Sequence, residues 1–125
     1  NPKKSDECTV SVKISAADMN LSITAPTNGA TIADAALTDS ASSSKVEIGT
    51  PTWEKSDDGS SGWASATGNF EQKFYRATVT LTAKDGFAFG ESGDYSSLTV
   101  TNGKATSATV SDGSLKLVIT FDQVQ

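Results

Sequence analysis

Histidine is absent from this chain, and cysteine occurs once. The first absence removes Ser-His-Asp and Cys-His nucleophilic machinery together with His-ligated zinc. The second leaves Cys8 alone, so an intradomain disulfide and a cysteine-rich zinc site are excluded. Cys8 shares its parity with Val10, Val12 and Ile14, which predicts burial as a small apolar group; a thiol that crosslinks two chains is the alternative. No apolar run approaches the ~20 residues that span a bilayer, so membrane insertion is not expected. Phosphate-cradling glycine loops of the Walker or dinucleotide type do not occur, and no cofactor is implied. The ten basic residues are scattered among fifteen acidic ones, giving a net charge of −5. Phosphate-backbone binding depends on clustered Lys and Arg, so nucleic acid is not an expected partner. The chain starts without an initiator Met or a secretory signal, and reads as a mature or excised segment.

What is present is hydroxyl and alternation. Ser and Thr make up 34 of the 125 residues, which suits thin antiparallel sheets with hydroxylated outer faces. The most regular stretch is "YRATVTLTAKDGFAF" at 75–89. Tyr75, Ala77, Val79, Leu81 and Ala83 share one parity; Arg76, Thr78, Thr80, Thr82 and Lys84 share the other. Successive strand side chains point to opposite faces, so this is a strand with one buried and one wet face. Val79 and Leu81 are expected inside, Thr78 and Thr80 outside. Asp85-Gly86 supplies a turn, after which Phe87 and Phe89 return to the core.

Residues 1–7 form a polar lead-in, with Lys3-Lys4 as the one close basic pair, and 8–125 a single domain. Further strands are expected at 8–14, at 19–25 with Met19, Leu21, Ile23 and Ala25 inward, and at 45–53, broken by Gly49 and Pro51. Residues 30–44 offer one helical turn at most, and 54–69 reads as a long polar loop. Strands at 96–100 and 104–110 flank Asn102-Gly103, a strong hairpin signal. Asp112-Gly113 makes another turn before the closing strand 114–121, where Leu117 and Ile119 face in and Lys116 out. About seven short strands without a sustained helical period predict an all-β, immunoglobulin-like antiparallel β-sandwich.

No catalytic residue emerges. Asp57, Asp58, Glu91, Asp94, Asp112 and Asp122 stand beside Gly and Ser, where turn and solvent roles are expected rather than a raised-pKa acid in an apolar pocket. "SDDGSSG" at 56–62 lacks the ligand spacing of an EF-hand loop, which leaves only a non-EF surface calcium site as an alternative and no metal assigned. An internal Lys–Asn isopeptide bond needs a core-facing Lys, whereas Lys13, Lys84 and Lys116 carry outward parity. Trp53 ends a strand that must cover the core and is expected to be buried. Trp63 has no apolar neighbours in its loop, and Phe74 has the outward parity of its strand. Trp63, with Phe74 or Tyr95, is therefore the candidate ligand-binding set. Aromatic faces beside Asn and Asp suit a glycan; the alternative is that Trp63 folds over a sheet edge as a lid.

The order "ITAPTNGA" (23–30), Trp53, Gly68 with Phe70, "YRATVTLTAKDGFAF" (75–89), "LTVTNGKAT" (98–106) and "SLKLVITF" (114–121) resembles a repeat of secreted and cell-surface proteins of Gram-positive bacteria. The resemblance covers roughly residues 19 to 122, and departs from the repeat in the longer loop between Trp53 and Phe70. It implies an extracellular or cell-surface location within a multidomain protein, and neighbouring domains of the same chain as partners. It carries no catalytic residues. The expected function is a non-catalytic spacer or interaction module, with a carbohydrate-binding module for glycans or cell-wall polysaccharide as the alternative.

Overall fold

The computed structural model describes residues 11–41 and 45–125. The lead-in 1–7, Cys8 and the first positions of the expected strand 8–14 lie outside them. The alternating stretch forms the longest strand, β7 (Phe74–Ala83), and parity holds along it. Tyr75, Ala77, Val79 and Leu81 are buried, while Thr80 and Thr82 are exposed. Thr78 is half-buried instead of exposed, because its strand neighbours Thr52 and Val118 flank it on both sides.

Ten further strands surround it: β1 (Val12–Ile14), β2 (Leu21–Ile23), β3 (Leu37–Asp39), β4 (Val46–Ile48), β5 (Thr52–Ser56), β6 (Ala64–Ser65), β8 (Phe87–Phe89), β9 (Val100–Thr101), β10 (Lys104–Ser111) and β11 (Ser114–Thr120). The helical content of the described residues is three short 3₁₀ turns, at Ala16–Asp18, Ile32–Asp34 and Ser92–Tyr95. Six strands make the large sheet, in the order β10-β11-β7-β5-β6 with β4 also on β7. Facing it are the sheet β3-β2-β9 and the pair β1-β8. One hydrophobic core lies between them: Ile14, Leu21, Ile23, Leu37 and Val100 meet Val79, Leu81, Leu115, Leu117 and Ile119. The architecture is the expected all-β sandwich, antiparallel throughout the large sheet, with two parallel pairings, β1 with β8 and β2 with β9, on the smaller side.

Several local expectations change. The strand at 45–53 becomes β4 and β5, both paired with β7 and separated by residues 49–51, since Pro51 cannot donate to a ladder. The polar loop at 54–69 contains the end of β5 and the short β6, which pair as a hairpin through Glu54–Ser65 and Lys55–Ala64. β3 falls within the Ala- and Ser-rich 30–44 and pairs antiparallel with β2 along all three residues, with Leu37 its one buried side chain. Val12 is exposed although Ile14 beside it is fully buried, and Ala25 is exposed just beyond the end of β2. Phe87 and Phe89 are only partly buried against the core.

Asn102-Gly103 is a turn but not a hairpin. Asn102 holds φ 75° and the chain crosses from β9 in the small sheet to β10 in the large one. The Asn102 Nδ2 donates to the Ile23 carbonyl at 3.2 Å, tying the crossing to β2. A Cβ on Gly103 would stand 2.6 Å from Ile119 Cγ2, so only glycine passes this close to the core. The true two-residue hairpin is Asp112-Gly113, whose φ values of 51° and 79° fit the twist of β10 and β11.

The sandwich predicts an asymmetry along β7. Leu81→Ala removes a fully buried side chain and is expected to lower stability by about 2–5 kcal/mol in chemical denaturation. Thr80→Ala, on the wet face, should change it by no more than roughly 0.5 kcal/mol. Equal losses at both positions would mean that the sheet is covered on both faces.

Candidate functional site

The β5–β6 hairpin loop builds the surface on which two of the three candidate aromatics stand. Ser56 has outward parity yet is 2 % exposed, because residues 57–62 fold back over it. Its hydroxyl donates toward the Ser61 carbonyl and Asp58 Oδ1, and accepts from the amides of Asp58 and Gly59. Asp58 closes the same loop: Oδ1 accepts from the Ser60 and Ser61 amides at 2.9 Å each, and Oδ2 accepts from the Ser61 hydroxyl at 3.0 Å. The Ser60 amide first, then the Ser61 amide, favour the ionised form and hold the Asp58 carboxyl far below its ordinary value of 3.8. Asp57 pairs with Lys73 at 2.7 Å. The oxygens that suggested a calcium loop thus hold the turn closed.

Gly59, at φ 80°, lies on the ring of Phe74; a Cβ there would be 2.8 Å from a ring carbon. Phe74 therefore points outward, as its parity implies, but under a roof of loop backbone. Trp63, in the same β5–β6 loop as Gly59, is half-buried. The Arg76 guanidinium lies over the indole, 4.4 Å from the ring centre, and its Nε donates to Glu54 Oε1 at 2.6 Å. Glu54 and Arg76 are cross-strand partners of β5 and β7, so the pairing register itself sets this Glu-Arg-Trp stack.

Tyr95 does not belong to this surface. It is 1 % exposed, its hydroxyl donates to the Ile14 carbonyl at 2.6 Å and accepts from the Gly90 amide at 2.8 Å, and Phe89 packs edge-on against its ring. The 3₁₀ turn Ser92–Tyr95 rotates it inward to tie β1 to the β8 end, and of the strand expected at 96–100 only Val100 belongs to a strand, the start of β9.

Concavities also form elsewhere on the domain. Trp53, buried as expected, stacks on Phe121 at 5.4 Å and meets Phe70 edge-on at 5.1 Å. It lines a cleft of about 340 Å³ with Ile32, Ala35, Pro51 and Ala66. Its Nε1 is the one buried side-chain polar atom among the described residues that has no hydrogen-bond partner. At the end of the sandwich where β2, β9 and β11 finish and β10 begins, two clefts of about 470 and 390 Å³ share Asn102, Phe121 and Asp122 as a common wall. Sequence reasoning missed this end, because its residues come from three turns far apart in the chain. Phe121, an aromatic followed at once by Asp122 and Gln123, was the one available signal.

The fold and these surfaces define an all-β sandwich domain with a roofed aromatic face and a polar pole. No family model, curated protein or solved structure matches the chain.

The closed loop carries a prediction with a definite sign. Because the folded Asp58 value is depressed, its stabilising effect is full above the unfolded carboxylate value of 3.8 and is lost as pH falls below it. At neutral pH the Ser60 and Ser61 amides are therefore expected to resist hydrogen exchange in the wild type and to lose that protection in Asp58→Ala. Unchanged protection in the variant would show that Asp58 does not close the loop.

Proposed function

We propose that this chain is a non-catalytic spacer or interaction module of an extracellular or cell-surface bacterial multidomain protein, the role implied by its resemblance to Gram-positive surface repeats. The observation that carries this reading is the engagement of the candidate aromatics by the chain's own groups. Arg76 covers a face of Trp63, Gly59 covers Phe74, and Tyr95 is enclosed. Strong patterning in this chain serves folding, as in a unit whose task is to hold distance and orientation between neighbours. The hydroxylated outer face of β7 and the acidic net charge keep such a unit soluble without a basic stripe for nucleic acid.

The second reading is a carbohydrate-binding module. Trp63 favours it by remaining partly exposed while Arg76 backs its ring, an arrangement that presents a rigid indole to a pyranose.

Trp63→Ala separates the two. On the module reading, wild type and variant migrate alike in affinity electrophoresis through plant and bacterial polysaccharides. The variant loses only the stack with Arg76, about 0.5–1 kcal/mol at a partly exposed site, and melts a few degrees lower. Retardation that disappears in Trp63→Ala would instead establish Trp63 as the sugar platform.

A further inference from the structure

The polar pole offers a site for the interaction role of a surface module. Resting on that proposed role, we infer that the paired clefts around Phe121 bind a neutral saccharide. Both are within the ~300–1,000 Å³ range of small-ligand sites, and they meet along one wall. Phe121 forms that wall. One face of its ring is stacked on Trp53, and the Gly103 turn abuts its edge, so the ring is fixed in place while still partly exposed to both clefts. A rigid aromatic surface is what the apolar face of a pyranose needs.

The surrounding groups suit hydroxyls. Asn28 and Gln123 are exposed amides that each offer a donor and an acceptor, as a sugar hydroxyl does. One N–H of Asn102 Nδ2 is taken by the Ile23 carbonyl, which fixes the amide and leaves its oxygen as an acceptor in a fixed position. Asp122 and Lys104 are exposed and add one charge of each sign, so the pole has no net preference for an anion. The chain's net charge of −5 further disfavours polyanionic glycans. Side-chain amides from separate turns, rather than a row of backbone donors and acceptors, also fit a ring of hydroxyls better than an extended peptide.

The test is a ¹H–¹⁵N NMR titration of the whole chain with cellohexaose, xylohexaose and mannohexaose, with a polyanionic oligosaccharide and an unstructured peptide as further arms. At least one neutral sugar is expected to shift the Asn102 and Asp122 amides. Asp122→Ala and Asn28→Ala, both at exposed positions, should weaken that binding roughly five- to tenfold each without moving the melting temperature. Phe121→Leu, which keeps bulk over Trp53, should weaken it more. The inference is overturned if no neutral sugar shifts the pole, if the shifts centre on Trp63, if only the peptide or the polyanion binds there, or if Asp122→Ala and Asn28→Ala bind as the wild type does. A silent pole leaves the module reading intact; that reading fails separately if the titrated oligosaccharides are cleaved.

Discussion

The parity of β7 is the constraint on which the remaining structure depends. Its ten residues pair with β11 along one edge and with β4 and β5 along the other, so three strands take their register from it. A slip of one residue would send Val79 and Leu81 to solvent and draw Thr80 and Thr82 inward. The same register places Ala77 opposite Ile119 and Trp53, Val79 opposite Leu117, and Leu81 opposite Leu115. Core and sheet are therefore specified by one alternation.

The outer face follows from that register as well. Opposing Glu54 to Arg76 puts a guanidinium where Trp63 can lie against it, and opposing Ser56 to Phe74 puts a hydroxyl and a ring beneath the 57–62 loop. The loop closes on Asp58 and on a glycine at positive φ, which lets backbone rest on the Phe74 ring. Stacking and roofing of this kind protect an aromatic surface that would otherwise be a sticky patch. Tyr75 contributes at the inner side: its hydroxyl accepts from the Glu71 amide at 2.7 Å and its ring meets Phe70 edge-on, linking β7 to the segment that precedes it.

Where alternation was long, the sequence was legible. β7, β10 and β11 lie where period-two patterning put them, and the Asp112-Gly113 hairpin has the turn its residues favour. Short strands were less so, because two or three residues do not make a period: β3 and β6 hold one buried side chain between them. Asn102-Gly103 carried the local signature of a hairpin, and tertiary packing against Ile23 and Ile119 turned it into a crossing between sheets. The outward direction of Phe74 followed from its parity, but its cover, Gly59, and that of Trp63, Arg76, each come from a distant part of the chain. Tyr95, offered as a surface partner of Trp63, is instead carried into the core by the 3₁₀ turn Ser92–Tyr95. Beyond the signal of Phe121, the pole was not legible, since 28, 102–104 and 120–123 meet only after β2, β9, β10 and β11 have aligned.

If β7 is the organising strand, its amides are the last to open, since they sit between two partners above a fully buried face. Native-state hydrogen exchange measured residue by residue tests this most directly. The account predicts that the amides of Ala77, Val79 and Leu81 exchange only through global unfolding, with protection equal to the full stability of the domain, while β3, β6 and the 57–62 loop open at lower free energy. Protection in β2 and β3 that exceeds protection in β7 would contradict it.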